Sequence, residues 1–404
     1  MKRILIFLSI FIGVALLIFA LIFGVNRNAF KTLFENREGL AEGSEWVEQT
    51  YSLRGLTQYI DQNPERVSVA SVVLGHPDSV IYYMADEPRT MGTLANIFLL
   101  IAYADAFENG TQLTYEEISW SDISRYQLPK VDEAKHKEAK KWAERNGYLS
   151  GNGTIILDDL ITVMVEFSDL SIADYLWFRI GGADTFIDLF EQLGLEYTDI
   201  PLPYSGLYLS ISPLIRDMEF TDLLALLSDT KPAQRNETVI TMAERYSTDT
   251  ESREQWNKIL ERDRLGITFM QERDAMAFFP KTTAREFAEL ASTLIQGDVI
   301  SEDVSLRVTN WMRWPMAQPA INRDFSDYGA LYDNRIGLLN GIDFGTSVFT
   351  DDTTVQAVFF DDLQIAFWIH MSSNHMHQDF QQRLIWDPAM ITSMNRIVIR
   401  HENP

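Results

Sequence analysis

An α+β fold is predicted for this chain, with one antiparallel sheet built from both ends and a helical subdomain inserted between them. Two observations carry that prediction. Near the start, β-branched and aromatic runs at residues 67–74 and 79–84 flank Gly75-His76-Pro77-Asp78, the pattern of a hairpin. Near the end, short apolar runs at 337–344, 346–350, 355–360 and 363–370 are separated by turn residues, Gly345 and Asp361-Asp362 among them. Helical spacing of apolar residues dominates the stretch between, so the strands of the two ends have each other as partners.

The helices follow in order. Residues 51–62 carry Leu53, Leu56, Tyr59 and Ile60 on one face, and Asn63-Pro64 ends that helix. Residues 93–109 are apolar on most faces, which predicts a helix buried at the centre. Residues 132–146 form a charged helix with pairs such as Glu133 and Lys137 at i,i+4 spacing. Two helices, 157–167 and 172–180, flank a Ser168-Asp169-Leu170 turn, and 183–193 is amphipathic and closed by Gly194. Residues 201–280 are the least legible part and read as a divergent insert. Clean helices return at 283–296 and 301–311, and a last one is expected over 378–397. The expected layout is residues 1–25 as an anchor, 26–50 as a membrane-proximal linker and 51–404 as one domain. The helical insertion within it covers about 92–320.

Composition bounds the function. An apolar fraction of 46% with 23% charged residues is that of a globular chain. A net charge of −24 argues against a nucleic-acid partner, whose phosphates would be repelled. The absence of cysteine excludes disulfides, thiol catalysis and cysteine metal sites. Residues 4–25 are almost unbroken apolar sequence, with Lys2 and Arg3 before them and Arg27 and Lys31 after. A helix of that length spans a hydrocarbon core of about 30 Å, whereas a cleaved signal has an apolar core of about 7–15 residues. The segment reads as an uncleaved single-pass anchor, with the bulk of the chain on the extracytoplasmic side.

Two stretches carry the chemistry. Residues 91–112 read MGTLANIFLLIAYADAFENGTQ, and 167–182 read FSDLSIADYLWFRIGG. They resemble the first two active-site segments of the class A β-lactamase and penicillin-binding serine hydrolases. The resemblance runs from about residue 51 to the C-terminus. It includes residues 279–301 as the helix after the family's omega loop and 305–312 as the next helix. In that family a serine attacks a β-lactam or a D-Ala-D-Ala-type amide. A lysine three residues on, with an omega-loop glutamate in β-lactamases, manages the proton. A Ser-Asp-Asn loop faces the serine, and a Lys-Thr/Ser-Gly strand binds the substrate carboxylate and helps form the oxyanion hole.

The resemblance implies a catalytic set of Thr93, Asn96, Ser168 and Asp169 and a substrate-binding set of Leu170, Arg335, Ile336 and Gly337. It also implies that the set is degenerate. Thr93 stands in the serine's place, Asn96 in the lysine's, Leu170 in the loop asparagine's, and Arg335-Ile336-Gly337 in the strand motif's. Asparagine accepts no proton at neutral pH, so it is no base, and a hydroxyl without a base is a weak nucleophile. No omega-loop glutamate is assignable among Glu219, Glu237, Glu244 and Glu261. The expected function is therefore a pseudoenzyme that binds or scaffolds, taking a peptidoglycan-like or small anionic ligand, or a membrane-protein complex, as partner. The alternative is an active, divergent hydrolase using Thr93 or an unidentified base.

Plainer roles compete for single residues. Thr93 also suits a helix N-cap, and Ser168 a structural turn. His370, His375 and His377 read as a solvated loop rather than a metal site, because their spacing matches no closed zinc site. Asp158-Asp159 reads as a helix start, and Asp351-Asp352 and Asp361-Asp362 as turns. Trp311, Met312, Trp314 and Met316 read as core. No cofactor is expected.

Overall fold

The structure is a computed structural model, described here at residues 34–313, 330–337, 339–374 and 376–402. The apolar segment 4–25 lies outside the described residues, as do Trp314, Met316 and His375. Among the described residues no helix is long and apolar enough to cross a membrane.

Nine strands are described, and five of them form the main sheet. They are β1 (Val67–Val73), β2 (Val80–Tyr83), β3 (Arg89–Thr90), β4 (Glu117–Ser119), β5 (Thr154–Ile156), β6 (Lys281–Thr282), β7 (Ala330–Gly337), β8 (Gly341–Ser347) and β9 (Thr353–Phe360). The sheet order is β2-β1-β9-β8-β7, antiparallel throughout. The N-terminal hairpin thus meets the C-terminal meander at the β1–β9 ladder, where Val69 lies opposite Val358. That junction is what the apolar runs at the two ends predicted.

The pleat sends alternate residues to two cores. Val67, Val69, Val358 and Phe360 join a layer made by the terminal helices, with Tyr59, Phe367 and Phe380 fully buried in it. Ala70, Val355, Ala357 and Phe359 face the larger core, whose centre is the helix Asn96–Glu108. That helix is buried on nearly every face, as its sequence requires. The insert at 201–280 is helical. Tyr204–Ser210, Pro232–Thr248 and Thr250–Asp263 pack around a small core of their own, with Leu209, Tyr246 and Leu260 at its centre.

Several expectations about elements are corrected. The run at 337–344 is not one strand: Gly337 ends β7 and Gly341 begins β8, with a tight turn between. Gly345 lies within β8 rather than at a turn, and 346–350 covers the end of β8 and the turn after it. Residues 363–370 alternate like a strand, yet Ile365–Asn374 is a helix. Its buried residues, Ile365, Phe367, His370 and Met371, lie against the N-terminal segment, where Ala366 N–H donates to Glu42 O at 3.1 Å. Packing has overridden local alternation. The last predicted helix is two, Met376–Trp386 and Pro388–Glu402, broken at the proline.

Candidate functional site

The site is built outward from residues 89–96. Thr90 is held from three directions. It pairs with Lys281 in the β3–β6 ladder, its N–H donates to Asp361 Oδ2 at 2.9 Å, and its carbonyl accepts from Asn340 Nδ2 at 2.7 Å. Met91 N–H donates to Pro280 O at 3.0 Å. Asn340 belongs to the β7–β8 turn, and β7 packs on residues 92–95. The strand carrying Arg335, Ile336 and Gly337 therefore ends beside Thr93.

Gly92–Ala95 is a single 3₁₀ turn leading into the central helix. Thr93 lies inside it and makes no side-chain cap, so the N-cap reading of Thr93 is corrected. The central helix opens at Asn96, not at Thr93.

Asn96 is buried, and its partner is Tyr204 from the insert. The phenol oxygen lies 3.0 Å from Asn96 Oδ1 and 3.1 Å from Gly92 O. Burial raises the phenol's pKa well above its ordinary value, so it stays protonated and donates. Asp174 in turn holds the base of the tyrosine helix: its carboxylate accepts from Tyr204 N–H at 2.5 Å and Ser205 N–H at 2.7 Å. Burial pushes the Asp174 carboxyl up to about 7 in spite of those two donors. Tyr204 and Asp174 were not foreseen. The tyrosine sits in the illegible stretch, and the one clue was an acidic residue inside the otherwise apolar SIADYLWF.

The second segment behaves as a turn between two helices. Ser168 closes the helix Leu157–Phe167 in the left-handed conformation, φ 47°, with its N–H donating to Met164 O. A non-glycine residue there is strained by about 1–3 kcal/mol. Asp169 then starts the helix Leu170–Arg179: its Oδ1 accepts from Ile172 N–H at 2.9 Å. Its Oδ2 lies 2.9 Å from His136 Nδ1, and His136 Nε2 lies 3.1 Å from Ser124 Oγ. Asp169 is fully buried, so it is committed to structure. Leu170 is half-buried and packs on the main core. The helix it opens lies along the central one, where Tyr103 OH donates to Leu176 O at 3.0 Å. Nearby Asp132 accepts from Leu128 N–H at 2.9 Å and from the Ser171 hydroxyl, and burial pushes it up to about 6.

On the third segment, Arg335 lies opposite Asp343 in the β7–β8 ladder, Ile336 opposite Ile342 and Gly337 opposite Gly341. Gly337 has φ 86°, and a Cβ there would meet Asn340 O at 2.2 Å. Glycine is required at this position.

Other expectations resolve as follows. His370 and His377 are not in a solvated loop but buried in the helices Ile365–Asn374 and Met376–Trp386; His370 Nδ1 lies 2.9 Å from Asn374 Nδ2. Among the described residues no group of histidines and carboxylates is placed to hold a metal. Asp158 sits in the first turn of its helix and accepts from Trp311 Nε1 at 3.1 Å, without capping. Asp361 acts as a turn residue, as expected, and adds the bond to Thr90.

The Beta-lactamase enzyme family matches residues 54–379. No curated protein matches the chain. Among solved structures, a mutant of PBP-A in an acyl-enzyme complex with penicillin G is 14% identical, covering 82% of this chain and 97% of that one, at a TM-score of 0.45. The TLA-1 extended-spectrum beta-lactamase is 13% identical, covering 85% and 99%, at 0.47. A beta-lactamase from Chitinophaga pinensis is 14% identical, covering 83% and 98%, at 0.48. The family match spans the first strand, the Thr93 turn, the Ser168 turn and the closing strands alike, so this chain belongs to the beta-lactamase enzyme family.

Proposed function

We propose that the protein is a membrane-anchored, extracytoplasmic beta-lactamase-like domain that has lost acyl transfer and works by binding. The observation that carries this reading is Tyr204 seated on Asn96. Where the family's chemistry calls for a proton acceptor, this chain has a neutral amide hydrogen-bonded to a protonated phenol. Neither group takes a proton from the Thr93 hydroxyl at neutral pH. Leu170 and Ile336 remove an amide and a hydroxyl from substrate binding as well. Groups that act as a unit lose most of their rate when one is lost, and several are lost here.

The ligand would be a peptidoglycan-like fragment or a small anion lying between the Thr93 and Ser168 turns and the end of β7, with Arg335 as its counter-charge. Residues 4–25 would hold the domain at the membrane, where a membrane-protein complex is a second class of partner. One observation favours the active alternative. Ser168 holds a strained left-handed backbone, and its hydroxyl has no hydrogen-bond partner among the described residues.

Intact-mass measurement separates the two readings. Incubation with benzylpenicillin should leave the mass unchanged, and a chromogenic β-lactam should not be hydrolysed above buffer. Thr93→Ala should shift stability by no more than about 0.5 kcal/mol, since no cap bond is lost. A stoichiometric acyl adduct on Thr93, absent from the alanine variant, would establish the hydrolase instead. The anchor is tested separately by fractionation with N-terminal peptide mapping: a soluble mature form beginning after residue 20 would exclude it.

A further inference from the structure

A cavity of about 620 Å³ opens where the 119–127 segment meets the helices Glu133–Arg145, Pro232–Thr248 and Thr250–Asp263. The chain as a whole carries a charge of −24, yet Arg125, Lys140 and Arg253 line this cavity and, among the described residues, no carboxylate does. Arg125 is paired at the rim with Asp122 at 2.9 Å. Lys140 and Arg253 have no carboxylate partner among the described residues. Arg253 is held still by neutral acceptors: Nη1 donates to Ser247 O at 2.9 Å and Tyr246 O at 3.2 Å, and Nη2 to Thr250 Oγ1 at 3.2 Å. Its charge is positioned and not neutralised. The same wall holds two buried donors without a partner, Trp120 Nε1 and Gln127 Nε2, and buried donors in folded proteins are otherwise almost always satisfied.

We propose that this cavity is a binding site for a small oxyanion, a carboxylate or a phosphate carried on a hydroxyl-rich scaffold. The cations supply attraction in a region from which the rest of the surface would repel an anion. Ser121 and Asn152 supply neutral hydrogen bonds for hydroxyls. The site is distinct from the Thr93 turn and does not depend on whether that turn is active. It is nevertheless bonded to the second segment, because the wall residue Ser124 contacts His136, which contacts Asp169.

The test is calorimetric titration of the full chain in detergent at low ionic strength, with inorganic phosphate, D-glucuronate and neutral D-glucose as probes. At least one anion should bind saturably and glucose should not; phosphate alone or glucuronate alone would identify which oxyanion is preferred. Lys140→Glu reverses a charge on an exposed side chain and should weaken binding by about tenfold or more. Lys258→Glu, an exposed lysine that does not line the cavity, should change it by less than about twofold, and both variants should melt with the parent. Absence of saturable binding by either anion, equal binding of glucose, or equal loss in the two variants would overturn the proposal.

Discussion

At the scale of single residues, the site is governed by Tyr204. Its hydroxyl is the partner of a buried amide oxygen and of the Gly92 turn carbonyl at the start of the central helix. Tyr204→Phe keeps the ring and removes both bonds. It should destabilise the fold by about 1–3 kcal/mol, read as a lower urea midpoint at unchanged slope. It should not create β-lactam reactivity, because Asn96 remains an amide. A midpoint equal to the parent's would mean that the phenol is not what satisfies Asn96. Thr93, Asn96, Ser168 and Asp169 are motif positions read from sequence order alone; the partner of Asn96 is not readable that way. Tyr204 lies about a hundred positions downstream of Asn96, and nothing local in PLPYSG ties the two together.

At the scale of elements, the β7–β8 hairpin decides where the third segment ends. The turn needs a left-handed residue at 337 and has no room for a side chain there. Gly337→Ala should cost about 1–3 kcal/mol from backbone strain alone, with the clash against Asn340 O added to it. The loss should be seen as a lowered melting temperature. The Asn340 bonds to Thr90 and Phe360 should loosen at the same time, as faster amide exchange at Phe360. A variant that melts with the parent would place the turn elsewhere. Two of the elements misread from sequence fail for reasons that apolar content does not reveal. Residues 337–344 and 363–370 are apolar enough for strands. A glycine with positive φ splits the first, and contacts with residues 42–43 and Tyr59 wind the second into a helix.

At the scale of the whole molecule, two buried carboxyls set how stability follows pH. Burial raises Asp174 to about 7 and Asp132 to about 6, from an unfolded value near 3.9. Raised values mean that the folded state prefers the protonated carboxyls. Their contribution is complete below about pH 4 and is lost as pH rises through about 6 and then 7. The self-repulsion of a chain at −24 acts in the same direction. Stability should therefore fall between about pH 4 and 7, by an amount on the order of a few kcal/mol, read as a falling urea midpoint. Asp174→Asn, which cannot ionise, should fall less steeply over that range, even if it begins less stable. Identical slopes in the two proteins would show that Asp174 ionises normally.

The sequence alone determined the sheet built from both ends and the buried central helix, and it holds three motif-like segments in order. Each of those is written in local periodicity or in motifs a few residues long, and hydrophobic burial acts on such patterns wherever the chain goes. Tertiary structure decided what the segments became. It brought Tyr204 onto Asn96, set Asp174 and Asp132 in places where burial raises their carboxyls to about 7 and about 6, and gathered Lys140 and Arg253 around one cavity. Those outcomes depend on desolvation and on charges meeting across more than a hundred residues of chain, and neither quantity exists until the chain is packed.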